Sequence, residues 1–317
     1  MLFEKQIIGF YKQGLFTRCD DTGLTHYFSH DDFPDMAYRP YYFKSSMGHT
    51  LRGYFYWYPQ PKPGRLIVFD HGFGGGHRAY MKEINLLCKA GYTVFSYDHT
   101  GCMESEGETP NGMTQSLRDL DDCIKALRAD TKYADVEISV VGHSWGGFST
   151  LNIAGIHPEI KKIVVMAGFV SAEMLIDSYF GGVMALWRKP IIKVEREANP
   201  DYFPYNAVDT LKKANVKALL IYSGDDKMCD KSHYDALYKG LSGKGGIRFR
   251  LEQNKGHNPN YTEDAAKYLG RYQEALAKAK KKLKTPKEKE EFVASWDWDR
   301  MTAQDFDVWQ EILDFLL

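Results

Sequence analysis

Five short, continuous apolar runs punctuate the chain: RLIVFD (65–70), YTVFSYD (92–98), EISVVGHS (137–144), IKKIVVMAGF (160–169) and VKALLIYSGDD (216–226). A run of this kind reads as a strand buried on both faces, unlike the alternating pattern of a half-exposed one. The segments between the runs have helical spacing. In AYMKEINLLCKAGY (79–92), Met81, Ile84, Leu87 and Cys88 recur on one face and Gly91 sits where a C-cap belongs. In TQSLRDLDDCIKALRAD (114–130) the face is Leu117, Leu120, Ile124 and Leu127. GFSTLNIAGIHP (147–158) supplies a further helix, and IRFRLEQNKGH (247–257) a further strand. Strands alternating with helices predict an α/β fold, a mostly parallel central sheet covered by helices on both faces. Ahead of the series, residues 1–60 are aromatic-rich and alternating. HTLRGYFYWYP (49–59) reads there as an antiparallel strand with one half-buried face.

Two segments break the alternation. Residues 169–205 exceed what one crossover helix needs and carry many apolar side chains around a Gly181-Gly182 pair. The division expected is a core of 1–168 and 206–317, with 169–205 as an inserted cap and a helical extension from about 262. In that extension KAKKKLKTPKEKEE (278–291) reads as a solvated helix face, broken at Pro286. MTAQDFDVWQEILDFLL (301–317) reads as a closing helix, with Thr302 as N-cap and Trp309, Ile312, Leu313 and Leu316 inward.

The balance of 41 basic against 42 acidic residues, a formal charge of −1, argues against a nucleic-acid or anionic-membrane partner. Five cysteines, odd in number, widely spaced and without C-x-x-C, argue against a disulfide framework or zinc site. The first residues do not read as a secretory signal, and no apolar run reaches a membrane-span length. A cytoplasmic protein with no membrane span is the expectation.

Chemistry concentrates at VVGHSWGGFS (140–149). Gly142, Ser144 and Gly146 match G-x-S-x-G, a pattern of which a chain of this composition carries about 0.1 by chance. Its context is the informative part, a buried strand before it and a helix after it. The glycines let the chain turn sharply and leave one hydroxyl exposed at the helix N-terminus. Such a hydroxyl needs a base, and the base an orienting carboxylate. His257 follows the 247–252 strand, whereas the rival His233 lies within a helical pattern. Asp225, Asp226 and Asp230 follow the 216–223 strand. These groups sit at C-terminal strand ends, on the sheet edge where α/β proteins bind ligands.

Ser144, an acid near 226 and His257, in that chain order, resemble the α/β-hydrolase superfamily. HGFGGG (71–76) is similar to its oxyanion loop, and GHSWGG to its nucleophile elbow. DHTGCMESEG (98–107) resembles its Asp-x-x-Gly-x-Gly-x-Ser loop, departing at Met103 where a glycine is usual. SGDDKMCD (223–230) is similar to the acid loop of monoacylglycerol-lipase-like and serine-aminopeptidase-like members. The resemblance covers roughly residues 50–262. It implies Asp226 as the acid, and backbone N–H groups of Phe73 and Trp145 as the oxyanion hole. It also implies a cap at 169–205, where Tyr179, Phe180 and Trp187 are expected to contact substrate, and no metal or organic cofactor. His71 is expected to brace its loop and His143 to pack beneath it.

The implied function is a serine hydrolase, carboxylesterase- or lipase-like, cleaving a small, partly apolar ester. Peptidase and thioesterase are the neighbouring readings. An aminopeptidase would draw on Glu173, Glu195 or Glu197 to hold a free amine. Acyl transfer and non-catalytic ligand binding are the readings outside hydrolysis.

Overall fold

The computed structural model describes residues 2–317. It opens with a helix, α1 (Leu2–Leu15), and two antiparallel strands, β1 (Ala37–Lys44) and β2 (Thr50–Trp57). Then come β3 (Arg65–Asp70), α2 (Met81–Lys89), β4 (Thr93–Tyr97), α3 (Gln115–Ala129), β5 (Glu137–His143), α4 (Ser144–Ile153) and β6 (Lys162–Met166). Two helices, α5 (Ala172–Tyr179) and α6 (Arg188–Ala198), flank a short 3₁₀ segment, Gly182–Trp187. The series resumes with α7 (Ala207–Lys213), β7 (Lys217–Ser223), α8 (Lys231–Leu241) and β8 (Ile247–Glu252). It closes with α9 (Glu263–Ala279), α10 (Pro286–Ala294), α11 (Trp298–Met301) and α12 (Phe306–Leu316).

The eight strands form one sheet in the order β1-β2-β4-β3-β5-β6-β7-β8. β2 runs antiparallel to β4, and every later pairing is parallel. The fold is therefore α/β as expected, and the continuous apolar runs are its buried interior strands. Successive residues of β3 face opposite ways. Leu66 and Val68 pack with α3, while Ile67 and Phe69 pack with α2 and α12. Each such side chain, fully buried, contributes roughly 1.5–3 kcal/mol, enough to fix the register of both faces at once. Asp70 pairs with Gly142, His143 with Met166, and Ser223 with Glu252, so β3, β5, β6, β7 and β8 end along one edge.

Three local expectations are revised. α1 replaces the alternating pattern foreseen for residues 2–15; its Ile7, Ile8, Tyr11 and Leu15 pack inward, and Gly9 and Gly14 weaken the helical signal. The closing helix begins at Phe306, not after Thr302. Backbone 303–305 pairs with 260–262 (Thr262 N–H to Ala303 O 3.0 Å, Asp305 N–H to Asn260 O 2.8 Å). Residues paired in that way cannot join a helix, so Asp305 becomes the cap, accepting from Asp307 N–H and Val308 N–H. Thr302 instead ends α11. Third, Lys280, Lys281, Lys282 and Lys284 lie in the turn between α9 and α10, not on a helix face. Thr285 and Glu288 cap α10 reciprocally there, with Pro286 in its first turn.

Candidate active site

β5 delivers Ser144 to the sheet edge. Its φ of +56° lies in the left-handed region that a serine occupies only at a cost, held by the packing around it. A Cβ at Gly146 would stand 2.1 Å from Asp70 O. One at Gly142 would stand 2.2 Å from Thr150 Oγ1 and 2.3 Å from Gly146 O. No side chain fits either position, which is the physical content of the G-x-S-x-G spacing.

His257 Nε2 lies 2.7 Å from Ser144 Oγ, and its Nδ1 2.8 Å from Asp226 Oδ2. Since a carboxylate only accepts, Nδ1 carries the proton and Nε2 is free to accept from the serine. Asp226 Oδ1 accepts from Met228 N–H and Cys229 N–H at 2.7 and 3.1 Å, so both carboxylate oxygens are held. Asp225 does different work. Its Oδ1 accepts from Ser223 Oγ and from the N–H groups of Lys255 and Gly256, pinning the loop that carries His257. Asp230 caps α8. Among three adjacent acids, the geometry brings only Asp226 to the imidazole. His233 is buried in α8 and accepts from Val170 N–H, far from this chain of contacts in role.

Phe73 and Trp145 lie side by side, their rings edge to face with centroids 5.1 Å apart. Trp145 is in the first turn of α4, where backbone N–H groups have no partner within the helix. The 71–76 loop runs against the serine: a Cβ on Gly72 would lie 3.3 Å from Ser144 Cβ. Phe73 and Trp145 both line the cavity beside Ser144.

Histidines brace these loops. His71 Nδ1–H donates to Gly72 O (2.7 Å), and His71 Nε2 accepts from His99 N–H (3.1 Å). Burial, helped by the neighbouring His99, pushes His71 down to about 3, so it is neutral. Burial would neutralise His99 too. The carboxylates of Asp70 and Asp119 outweigh it and raise His99 to about 9. His99 Nε2 is 3.1 Å from Asp70 Oδ1, an ion-pair contact off the line of a good hydrogen bond. His143 Nε2–H donates to the His257 carbonyl at 2.8 Å. Its Nδ1 accepts from the Tyr80 hydroxyl (2.8 Å), which in turn accepts from Gly72 N–H (3.0 Å).

A cavity of about 360 Å³ opens beside Ser144. It is lined by Tyr11 and Leu15 of α1, Phe73, Met113, Tyr179 and Phe180, among others, and no lining side chain carries a charge. Tyr179 and Phe180 thus reach the cavity, whereas Trp187 is not among its walls. Tyr11 and Leu15 were not singled out from sequence; the Ile7/Ile8–Tyr11–Leu15 spacing was the available signal. Tyr11 Oη–H donates to Glu195 Oε1 (2.5 Å), and Glu195 Oε2 accepts from Met113 N–H (2.7 Å). Among the described residues no cluster of three or more His, Cys, Asp or Glu side chains is arranged to hold a metal ion.

Comparison with known proteins agrees with this architecture. Residues 61–202 match the family model described as serine aminopeptidase, S33 (Hydrolase_4). Mouse monoglyceride lipase is 32% identical over 105 residues, 32% of this chain and 34% of that one. A putative carbamate hydrolase, RutD, of Serratia proteamaculans is 31% identical over 110 residues, 34% of this chain and 39% of that one. The matched stretch thus spans little more than a third of these curated relatives. Among solved structures, the Pyrococcus furiosus esterase Pf2001 superposes with a TM-score of 0.59 at 16% identity, covering 89% of this chain and 99% of that one. The chain has the α/β-hydrolase fold.

Proposed function

We propose that this protein is a serine hydrolase that cleaves a carboxylic ester of a small, partly apolar substrate through an acyl-enzyme. The observation that carries the reading is the continuous chain Ser144–His257–Asp226, at 2.7 and 2.8 Å, opening onto an uncharged cavity. As Ser144 Oγ attacks the carbonyl carbon, His257 Nε2 takes its proton and Asp226 stabilises the imidazolium. The oxyanion is held by the N–H groups of Phe73 and Trp145, each such donor contributing about 3–4 kcal/mol in related acyl transfers. The imidazolium then protonates the leaving alcohol, and water, activated by the same ring, releases the acid.

Residues 169–205, with α5 and α6, act in this reading as a cap over the acyl pocket, and α1 completes the wall. The cavity lies at the low end of the roughly 300–1,000 Å³ range of small-molecule sites, suiting a short-to-medium acyl group. The acids that an aminopeptidase could use to hold a free amine are engaged elsewhere. Glu173 pairs with Arg196, Glu197 with Lys193, and Glu195 is buried against Tyr11 and Met113. This favours the ester over the peptide reading. The test is hydrolysis of p-nitrophenyl esters of increasing acyl length by wild type and Ser144→Ala. Turnover with a chain-length optimum, lost at least about 10³-fold in the variant, is expected. Equal turnover by the variant would overturn the assignment.

A further inference from the structure

Cys19 and Cys102, far apart in sequence, are brought together by the path of the chain after α1. Residues 17–20 run beside the 98–107 loop, and the two cysteines are partners in a parallel bridge. Cys19 N–H donates to Gly101 O at 2.9 Å, and Met103 N–H to Cys19 O at 2.8 Å. Bridge partners lie about 4.7–4.9 Å apart, inside the roughly 4.4–6.8 Å Cα window that a disulfide needs. Their side chains leave the same face. The parallel bridge sets the two thiols side by side, one on each segment. Both are free, and they differ in access. Cys19 is partly exposed, while Cys102 is completely buried. Cys88, Cys123 and Cys229 are buried.

The surroundings sort the two sulfurs into roles. The neighbouring Cys102 thiol, opposed by partial burial and helped by the nearby Arg18 guanidinium, holds the Cys19 thiol below the usual range. The same contact, with burial, holds Cys102 well above it. Cys19 also keeps a weak contact to Thr17 O at 3.8 Å. Arg18 is clamped beside it, donating to the carbonyls of Met103, Ser105 and Gly107. An accessible thiol with a lowered tendency to hold its proton, and a second, buried thiol beside it, is the arrangement in which a first disulfide is captured and then resolved.

We propose that Cys19 and Cys102 form a thiol–disulfide exchange site that reacts with low-molecular-weight disulfides of the glutathione type and closes into an intramolecular Cys19–Cys102 bond. The Cys19 thiolate attacks one sulfur of the small disulfide. That S–S bond breaks, and one half leaves as a thiolate. Cys102 gives its proton to the departing thiolate and attacks Cys19 Sγ, expelling the second half as a thiolate. The two protein sulfurs lose two electrons, and one disulfide becomes one thiol and one thiolate. The new bond fastens the strap after α1 to the 98–107 loop, and with it the base of the helix that presents Tyr11 and Leu15 to the cavity. The site does not depend on the hydrolase reading.

The experiment incubates fully reduced protein with oxidised glutathione, then counts free thiols and maps disulfides by mass spectrometry. Wild type is expected to lose two of its five thiols, to yield a linked peptide pair containing residues 19 and 102, and to retain no glutathione. Cys102→Ser is expected to stop at one glutathione held on Cys19, and Cys19→Ser to remain unmodified. Wild type that keeps five thiols, or that carries glutathione without closing, overturns the proposal. Neither of those results requires a variant to fold.

Discussion

Tyr80 donates to His143 Nδ1 at 2.8 Å while accepting from Gly72 N–H at 3.0 Å, and His143 passes the connection to the His257 carbonyl at 2.8 Å. One phenol therefore ties together the three loops that carry the proposed oxyanion donor, nucleophile and base. Burial, with the adjacent His257, pushes His143 down to about 3, so the ring is neutral and donates from Nε2. Tyr80→Phe leaves Gly72 N–H and His143 Nδ1 without partners in a buried place, a loss of roughly 1–3 kcal/mol in stability. We expect urea unfolding to register that loss, and steady-state ester hydrolysis to show kcat lowered about 10-fold with KM little changed. An unaltered kcat would remove the chain from the site's geometry. Ser144 and His257 were legible in the sequence because each follows the C-terminal end of a segment that reads as a strand. Asp226 was not separable by spacing from Asp225 and Asp230; resemblance to the family's acid loop selected it. In space the three acids divide cleanly, into an imidazole partner, a loop pin and a helix cap. Tyr80 was invisible because nothing local links it to residues 143 and 257.

At the scale of elements, α1 and α6 meet through Tyr11 and Glu195. Burial raises the Glu195 carboxyl from 4.5 to about 7, against the pull of its Tyr11 and Met113 hydrogen bonds. Between those values the folded state holds a proton that the unfolded state has released, so the Glu195 contribution to stability falls as pH rises from about 4.5 to about 7 and is level outside that window. At about 1.4 kcal/mol per unit, Glu195 contributes at most about 3–4 kcal/mol to the fall. Burial raises Glu83 to about 7 as well, and it adds a slope of its own. Chemical denaturation of wild type and Glu195→Gln across pH 4–8 isolates this contribution, with the stability difference between the two expected to change across pH 4.5–7 as the Glu195 contribution is lost. Identical slopes would place the effect elsewhere. α1 escaped the sequence reading because two glycines interrupt a short amphipathic pattern and neighbouring aromatics mimic alternation. The shift of the closing helix to Phe306 has a different origin. Thr302 is a chemically sound cap, but tertiary pairing of 303–305 with 260–262 overrides local preference.

For the molecule as a whole, the parallel sheet was the most legible feature, since strands buried on both faces leave continuous apolar runs that need no long-range information. What the runs cannot encode is which helices close over the edge where they end. The cavity draws walls from α1, the 71–76 loop, Met113 and the 169–205 segment, regions scattered along the chain. Similarity by family model stops at residue 202, short of Asp226 and His257. The central claim therefore rests on the fold carrying those two residues to Ser144, and it is a claim about one activated hydroxyl among many. The most direct measurement is labelling with a serine-directed fluorophosphonate, followed by mapping of the modified peptide in wild type, Ser144→Ala and His257→Ala. A single adduct on Ser144, absent from Ser144→Ala and strongly slowed in His257→Ala, is the expected result. No adduct in wild type, or one on another serine that persists in Ser144→Ala, would contradict it.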